Sequence, residues 1–149
     1  MTKLDDALAG VTRLGFDTAP VIYFVEANPK YDALVTEIFQ RVTNGALLGT
    51  ASVITLSEVL VQPILHQHAL LQQEYHDLLL RGLNFTTLAV SAAIAERAAE
   101  LRARYRLRTP DALQIATALE ADCEAFLSND TGLRRATELR VLLLDELEL

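Results

Sequence analysis

The spacing of hydrophobic residues changes along the chain, and the changes divide it into alternating strands and helices. VTRLGFD over 11–17 reads as a short strand, followed by a helix, APVIYFVEA, and a break at Asn28-Pro29. Leu34, Val35, Ile38, Phe39 and Val42 then recur at helical spacing, which puts one apolar stripe on one face of a helix. That helix stops near Asn44-Gly45, a pair that tolerates the left-handed turn after a helix end. ALLGTASVI over 46–54 reads as a second strand. After Thr55, LSEVLVQPILH reads as a helix bent or ended around Pro63. Leu70, Leu71, Tyr75, Leu78 and Leu79 mark another helix, closed by Gly82. LNFTTLAV over 83–90 reads as a third strand, and Ser91 is placed to cap an Ala-rich helix running to about Leu107. Thr109-Pro110 opens the next helix, with the hydroxyl as cap and proline at the first helical position. CEAFLS (123–128) and RVLLLD (140–145) complete five strands, with a short helix over 131–137 between them.

This order predicts βαβ units with right-handed crossovers. The fold class is α/β, with a mostly parallel central sheet of about four or five strands covered on both faces. No repeat or linker interrupts it, so residues 1–149 read as one domain, with 1–10 as an N-terminal extension that is either an extra turn of helix or a tail. A chain 51% hydrophobic and only 22% charged is not disordered. Its one cysteine, Cys123, excludes an internal disulfide and gives no support for a cysteine-based zinc site. Asp5 and Asp6 interrupt the apolar run that a signal peptide needs, and no apolar stretch reaches the length of a membrane span. The expectation is a cytoplasmic domain with no membrane partner. Thirteen Lys+Arg against 20 Asp+Glu, a net charge of −7, lowers the expectation of strong non-specific nucleic-acid binding but not of carboxylates gathered around a metal.

In an open parallel sheet, ligands bind beyond the carboxyl ends of the strands, where helices start. Four acids occupy such positions. Asp17 ends the first strand, Glu58 lies in the first turn of the helix after the second, Asp111 lies in the first turn after Thr109-Pro110, and Asp130 ends the fourth strand. Each has a local explanation as well. Thr55 to Glu58 fits a capping box, Asp111 can oppose a helix dipole, and Asp17 and Asp130 can bind their own turns. Gathered in one crevice, however, two carboxylates about 4 Å apart repel by about 1 kcal/mol in water and about 4 kcal/mol where partly buried. A cation would relieve that repulsion. Oxygen ligands without cysteine or convergent histidine suit Mg²⁺ or Mn²⁺, and such an ion serves phosphate-ester hydrolysis.

Other signals carry less. His66, His68 and His76 do not share a helix face in a ligating pattern and read as surface residues. Gly45 and Gly49 lack the Lys-Ser/Thr of a phosphate loop, and FDTAP lacks the second aspartate of a haloacid-dehalogenase phosphatase.

FDTAPVIYFVE around Asp17, LSEVL around Glu58, RTPDALQIATAL around Asp111 and FLSND around Asp130 resemble the PIN-domain ribonucleases. Within these, the pattern is similar to the VapC toxins of bacterial toxin–antitoxin pairs, over residues 12–145. The resemblance implies a three-layer α/β/α PIN-like fold and a Mg²⁺- or Mn²⁺-dependent endoribonuclease. It makes Asp17, Glu58, Asp111 and Asp130 the catalytic, metal-binding acids and gives Thr18, Ser128 and Asn129 a supporting polar role. It further implies a homodimer and a cognate antitoxin, docked on the apolar helices at 29–44 and 66–81, with an antitoxin arginine in the acidic crevice. Arg102, Arg104, Arg106 and Arg108, then Arg134, Arg135 and Arg140, flank Asp111 and Asp130 in sequence and form a candidate grip on RNA phosphates. The alternative is that Arg102–Arg108 is a solvated helix end. Two other functions stay open: a non-catalytic interaction module, or a metal-dependent nuclease acting on DNA.

Overall fold

The computed structural model describes residues 1–149. Along the chain run β1 (Thr2–Lys3), α1 (Leu4–Ala7), β2 (Arg13–Phe16), α2 (Thr18–Val25), α3 (Asp32–Thr43), β3 (Leu48–Ser52) and α4 (Val53–Leu65). There follow α5 (Ala69–Arg81), β4 (Phe85–Leu88), α6 (Ala92–Tyr105), α7 (Thr109–Glu120), β5 (Ala125–Ser128), β6 (Arg140–Leu143) and β7 (Leu147–Glu148). Short 3₁₀ turns, Thr131–Arg135 and Leu144–Glu146, follow β5 and β6.

The five expected strands form one sheet in the order β4-β3-β2-β5-β6, every neighbour parallel. The chain leaves β2 toward β3 and β4, then returns to the other side of β2 for β5 and β6. The order therefore reverses between β2 and β5, and the crevice beyond their carboxyl ends is where an α/β sheet of this type takes a ligand.

Side chains alternate across the sheet and build two cores. Leu14 and Phe16 of β2 face Val21, Val35, Ile38, Phe39 and Val59 from α2, α3 and α4. Phe126 of β5 faces Ile94, Ala98, Leu101 and Ile115 from α6 and α7. Gly15 lies between the two inward residues of β2. A Cβ there would stand 2.7 Å from Ala118 Cβ, so its absence lets α7 pack directly on the strand. Gly45, with φ +86°, makes the left-handed turn that ends α3, as its sequence suggests.

Two local expectations are corrected. Helix α4 begins at Val53, because Ser52 at the end of β3 caps it by accepting from the Ile54 N–H, and Pro63 lies inside it two residues before its end. Thr55 is therefore a helical residue, there is no capping box with Glu58, and Glu58 falls in the second turn. Helix α7 has Arg108 at its cap position with no side-chain cap, so Thr109 is the first helical residue rather than the cap and Pro110 the second. The N-terminal extension contains the extra turn of helix, α1, and adds a short strand before it. Thr2 and Lys3 pair in parallel with Leu147 and Glu148, and Leu4, Ala7 and Leu8 are buried in the main core. Most of the apolar stripe of α3 lies in that core: Val35, Ile38, Phe39 and Val42 are buried, while Leu34 is partly buried against it.

Glu124 ties the start of β2 to β5. Its carboxylate accepts from the N–H groups of Thr12 (2.6 Å) and Arg13 (2.7 Å). Desolvation works against its charge, but these backbone donors outweigh it and hold the carboxyl below its ordinary 4.5. A lowered folded-state pKa contributes stability above the unfolded value, and that contribution is lost as the pH falls through the folded one. Glu124→Gln keeps an acceptor but loses the charge. Its urea midpoint should lie below that of wild type at neutral pH, and the gap should close once the pH is below the folded-state value. A gap that persisted in acid would assign the effect to packing instead.

Candidate functional site

All four acids lie at the carboxyl edge of the sheet, each held by the element that carries it. Asp17 is the cap of α2. Its Oδ1 accepts from the Thr18 N–H at 2.8 Å and its Oδ2 from the Ser128 hydroxyl at 2.7 Å, so the last residue of β5 orients the residue that follows β2. Ser128 is fully buried and its oxygen also accepts from the Asp130 N–H at 3.0 Å. Asp130 caps the turn after β5, with Oδ1 accepting from the Gly132 N–H at 2.8 Å.

Glu58 reaches the crevice from the second turn of α4 and is fixed by residues from two other helices. The Thr18 hydroxyl donates to its Oε1 at 2.7 Å, and the Gln114 amide does so at 3.1 Å. Gln114 Nε2 also lies 2.7 Å from the Thr18 hydroxyl and 3.1 Å from the Thr55 hydroxyl. An amide has two hydrogens, so Gln114 shares them among three oxygens, while the single hydrogen of Thr18 goes to Glu58 and Thr55 donates to Thr18. No buried polar side-chain atom in the molecule is left without a partner. Gln114, itself 3% exposed, is the functional residue that sequence reasoning missed. The available signal was its place three residues after Asp111 on one face of a helix otherwise lined by alanine and isoleucine.

Asp111 meets Arg108: Nε lies 3.1 Å from Oδ2 and Nη2 lies 3.4 Å from Oδ1. The acids also sense one another. Burial pushes the Asp17 carboxyl above its usual 3.8. Hydrogen bonds from Ser128 and Thr18 oppose the shift, and the charges of Asp111 and Glu58 add to it. As positioned, no three Asp, Glu, His or Cys side chains stand close enough to hold one ion together, because Glu58 is turned onto Thr18 and Gln114 and Asp111 onto Arg108. The donor chemistry nevertheless fits a hard divalent cation: the set is all oxygen, and the charge of Asp17 is met only by hydrogen-bond donors.

Thr18 and Ser128 touch the acids directly. Asn129 does not: its amide donates to the Tyr31 hydroxyl at 2.9 Å and its oxygen accepts from the Asp145 N–H at 3.2 Å, joining the start of α3 to the end of β6. The arginines are dispersed. Arg104 pairs with Glu138 at 3.4 Å, Arg134 with Glu146, and Arg102 donates to the Leu107 carbonyl. Arg106 ends α6 in a left-handed conformation and Arg140 starts β6. Of the seven, Arg108 contacts Asp111, and Arg135 is anchored on the Gly132 carbonyl next to Asp130. The three histidines are outside the site; His68 caps α5 through Nδ1. A concavity of about 460 Å³ opens elsewhere, lined by Lys3, Asp5, Glu37 and Arg41 but by none of the four acids.

The PIN domain family model matches residues 16–139, which takes in every acid of the crevice. The chain belongs to the PIN domain family. Members of this family are generally nucleases that use divalent metals. No curated protein sequence matches the chain. Among solved structures, it is similar to a toxin–antitoxin complex from Klebsiella pneumoniae, at 24% identity and a TM-score of 0.66 over 89% of this chain and 98% of that one. It is also similar to VapBC2 from Rickettsia felis bound to a DNA fragment from its promoter, at 16% identity and a TM-score of 0.71 over 89% and 98%. FitAcB from Neisseria gonorrhoeae gives 18% identity and a TM-score of 0.67 over 91% and 99%. At these identities the likeness is one of fold. As a PIN domain, the chain has the three-layer α/β arrangement that its sequence predicts, and none of its helices is long and apolar enough to cross a membrane.

Proposed function

We propose that this PIN domain is a Mg²⁺- or Mn²⁺-dependent endoribonuclease acting as the toxin of a VapBC-type toxin–antitoxin pair. The observation that supports the reading most is the hydrogen bonding at the β2–β5 crevice, where Thr18 donates to both Asp17 and Glu58, with Asp111 adding its charge to the burial that raises the Asp17 pKa. Asp17 and Asp111 would hold the ion directly, with Glu58 and Asp130 bound through water or completing a second site. When bound, the ion supplies a water of lowered pKa and neutralises charge on the non-bridging phosphate oxygens.

The chain's own residues do the positioning. Ser128 and the Thr18 N–H fix both oxygens of Asp17, leaving it no freedom to turn from the crevice. Thr18 and Gln114 hold Glu58 across from it. Arg108, on Asp111, and Arg135, on the Gly132 carbonyl, would supply positive charge for substrate phosphates.

The solved relatives, crystallised as toxin–antitoxin complexes, support a cognate antitoxin as partner. The surface suited to it, or to a second copy in a homodimer, is the α4–α5 hairpin, where Val61, Ile64, Leu65 and Leu70 are exposed. The deciding experiment incubates the purified chain with single-stranded RNA and, in parallel, single-stranded DNA, with Mn²⁺ or with EDTA. Internal RNA cuts that carry 5′ phosphates, appear with Mn²⁺ and stop with EDTA are the expected result. Cleavage of DNA alone would move the assignment to a deoxyribonuclease, and inertness toward both, with no Mn²⁺ heat by calorimetry, to an interaction module.

A further inference from the structure

Arg108 is the cap residue of α7, yet its side chain does not cap the helix; it folds back over the first turn onto Asp111. Its guanidinium is exposed to solvent, at 76%, whereas the Asp111 side chain is only 13% exposed. The contact is thus the solvent-facing cover of an acid that otherwise looks into the crevice. The same guanidinium also feels the charges of Asp130 and Glu58, on two other elements, so it sits where the fields of three of the four acids overlap. No other arginine or lysine is ion-paired to any of the four acids. Apart from hydrogen bonds, the repulsion among the acids is offset by this one tethered cation.

From this geometry we infer that Arg108 is a positioning residue that occupies Asp111 in the absence of a divalent ion and competes with that ion for the carboxylate. The inference rests on the metal-binding reading of the crevice and adds to it a built-in threshold for loading. Both Asp111 oxygens accept from the guanidinium, so an ion that approaches them from the solvent side meets Arg108 and competes with it for the carboxylate. Once displaced, the side chain is free at the rim of the crevice, where it can meet a substrate phosphate. An exposed ion pair is worth little, so the threshold is modest and falls as salt rises.

The test is calorimetric titration of the full chain with MnCl₂, using wild type, Arg108→Ala, Arg108→Lys and Arg81→Ala. Arg81 serves as the control for charge alone, since it is equally exposed, at 76%, and is paired with Asp77 on α5 rather than with any of the four acids. Arg108→Ala is expected to bind Mn²⁺ up to roughly fivefold more tightly than wild type, the most that losing an exposed ion pair would give. Arg108→Lys should fall between the two, and Arg81→Ala should stay near wild type. The gain in Arg108→Ala should shrink in high salt. Equal or weaker binding by Arg108→Ala overturns the inference while leaving the metal site standing. Equal tightening by Arg81→Ala also overturns it, by showing that only net charge matters. Absence of Mn²⁺ binding in wild type and all variants removes the metal reading and this inference together.

Discussion

Asp17→Asn is expected to reduce Mn²⁺-dependent RNA cleavage by more than about a hundredfold, the upper range for losing even an outer partner of a metal ligand. In EDTA the same variant should melt at or above the wild-type temperature. The two effects have one cause. Desolvation raises the folded-state pKa of Asp17, so the folded chain holds that proton more tightly than the unfolded chain does. The group's contribution to stability is then present below the unfolded value of 3.8 and is lost as the pH rises through the folded value. At neutral pH wild type bears the full cost of the buried charge, augmented by Asp111 and Glu58. Asparagine removes that cost and keeps the local geometry: its oxygen can accept from the Thr18 N–H and its amide can donate to the Ser128 oxygen. The substitution trades function for stability, as expected at a site built from like charges. Cleavage at wild-type rate would remove Asp17 from the mechanism. A variant that melted well below wild type would show the carboxylate to be structural.

How much of this was legible in the sequence follows from what each signal depends on. The alternation of strands and helices was readable because both faces of the sheet are covered: β2, β3 and β5 are short runs of mostly small and apolar residues, largely buried, and α3 carries an apolar stripe. Asp17, Asp111 and Asp130 were readable at strand ends or helix starts, whereas Glu58, expected in a first turn, lies in the second turn of α4. The start of α4 was misread because Ser52 and Thr55 are both good caps, and only the exit direction of β3 chooses between them. The turn of helix in residues 1–10 was readable, but its strand was not, because Thr2 and Lys3 pair with Leu147 and Glu148, more than a hundred positions away. Periodicity showed that α3 carries an apolar stripe, but not that Val35, Ile38, Phe39 and Val42 would be buried in the core. Gln114 went unseen for a similar reason: a single glutamine in a helix is neutral in every local measure, and its three partners come from α2 and α4.

That last residue yields the second large effect. Gln114→Leu preserves volume but removes both amide hydrogens from an enclosed set of oxygens. Thr55, fully buried, loses a donor that water cannot replace, and Thr18 loses its closest one. Leaving such groups unsatisfied costs about 1–3 kcal/mol, which for a chain of this length lowers the melting temperature by roughly 2–4 °C per kcal/mol. Glu58 has water access and survives the loss, but it is no longer fixed across from Asp17. Mn²⁺ affinity should therefore drop by about tenfold or more, the cost typical of removing a residue that orients a ligand. Gln114→Glu separates the two roles. It retains the shape but sets another carboxylate about 3.1 Å from Glu58 Oε1, so it should be destabilised in EDTA and regain part of the loss when Mn²⁺ is added. If Gln114→Leu left both the melting temperature and the affinity unchanged, the hydrogen bonds joining α2, α4 and α7 would not be what aligns the acids. Rescue of Gln114→Glu by Mn²⁺ would show that the crevice tolerates a further negative charge only when a cation shares it.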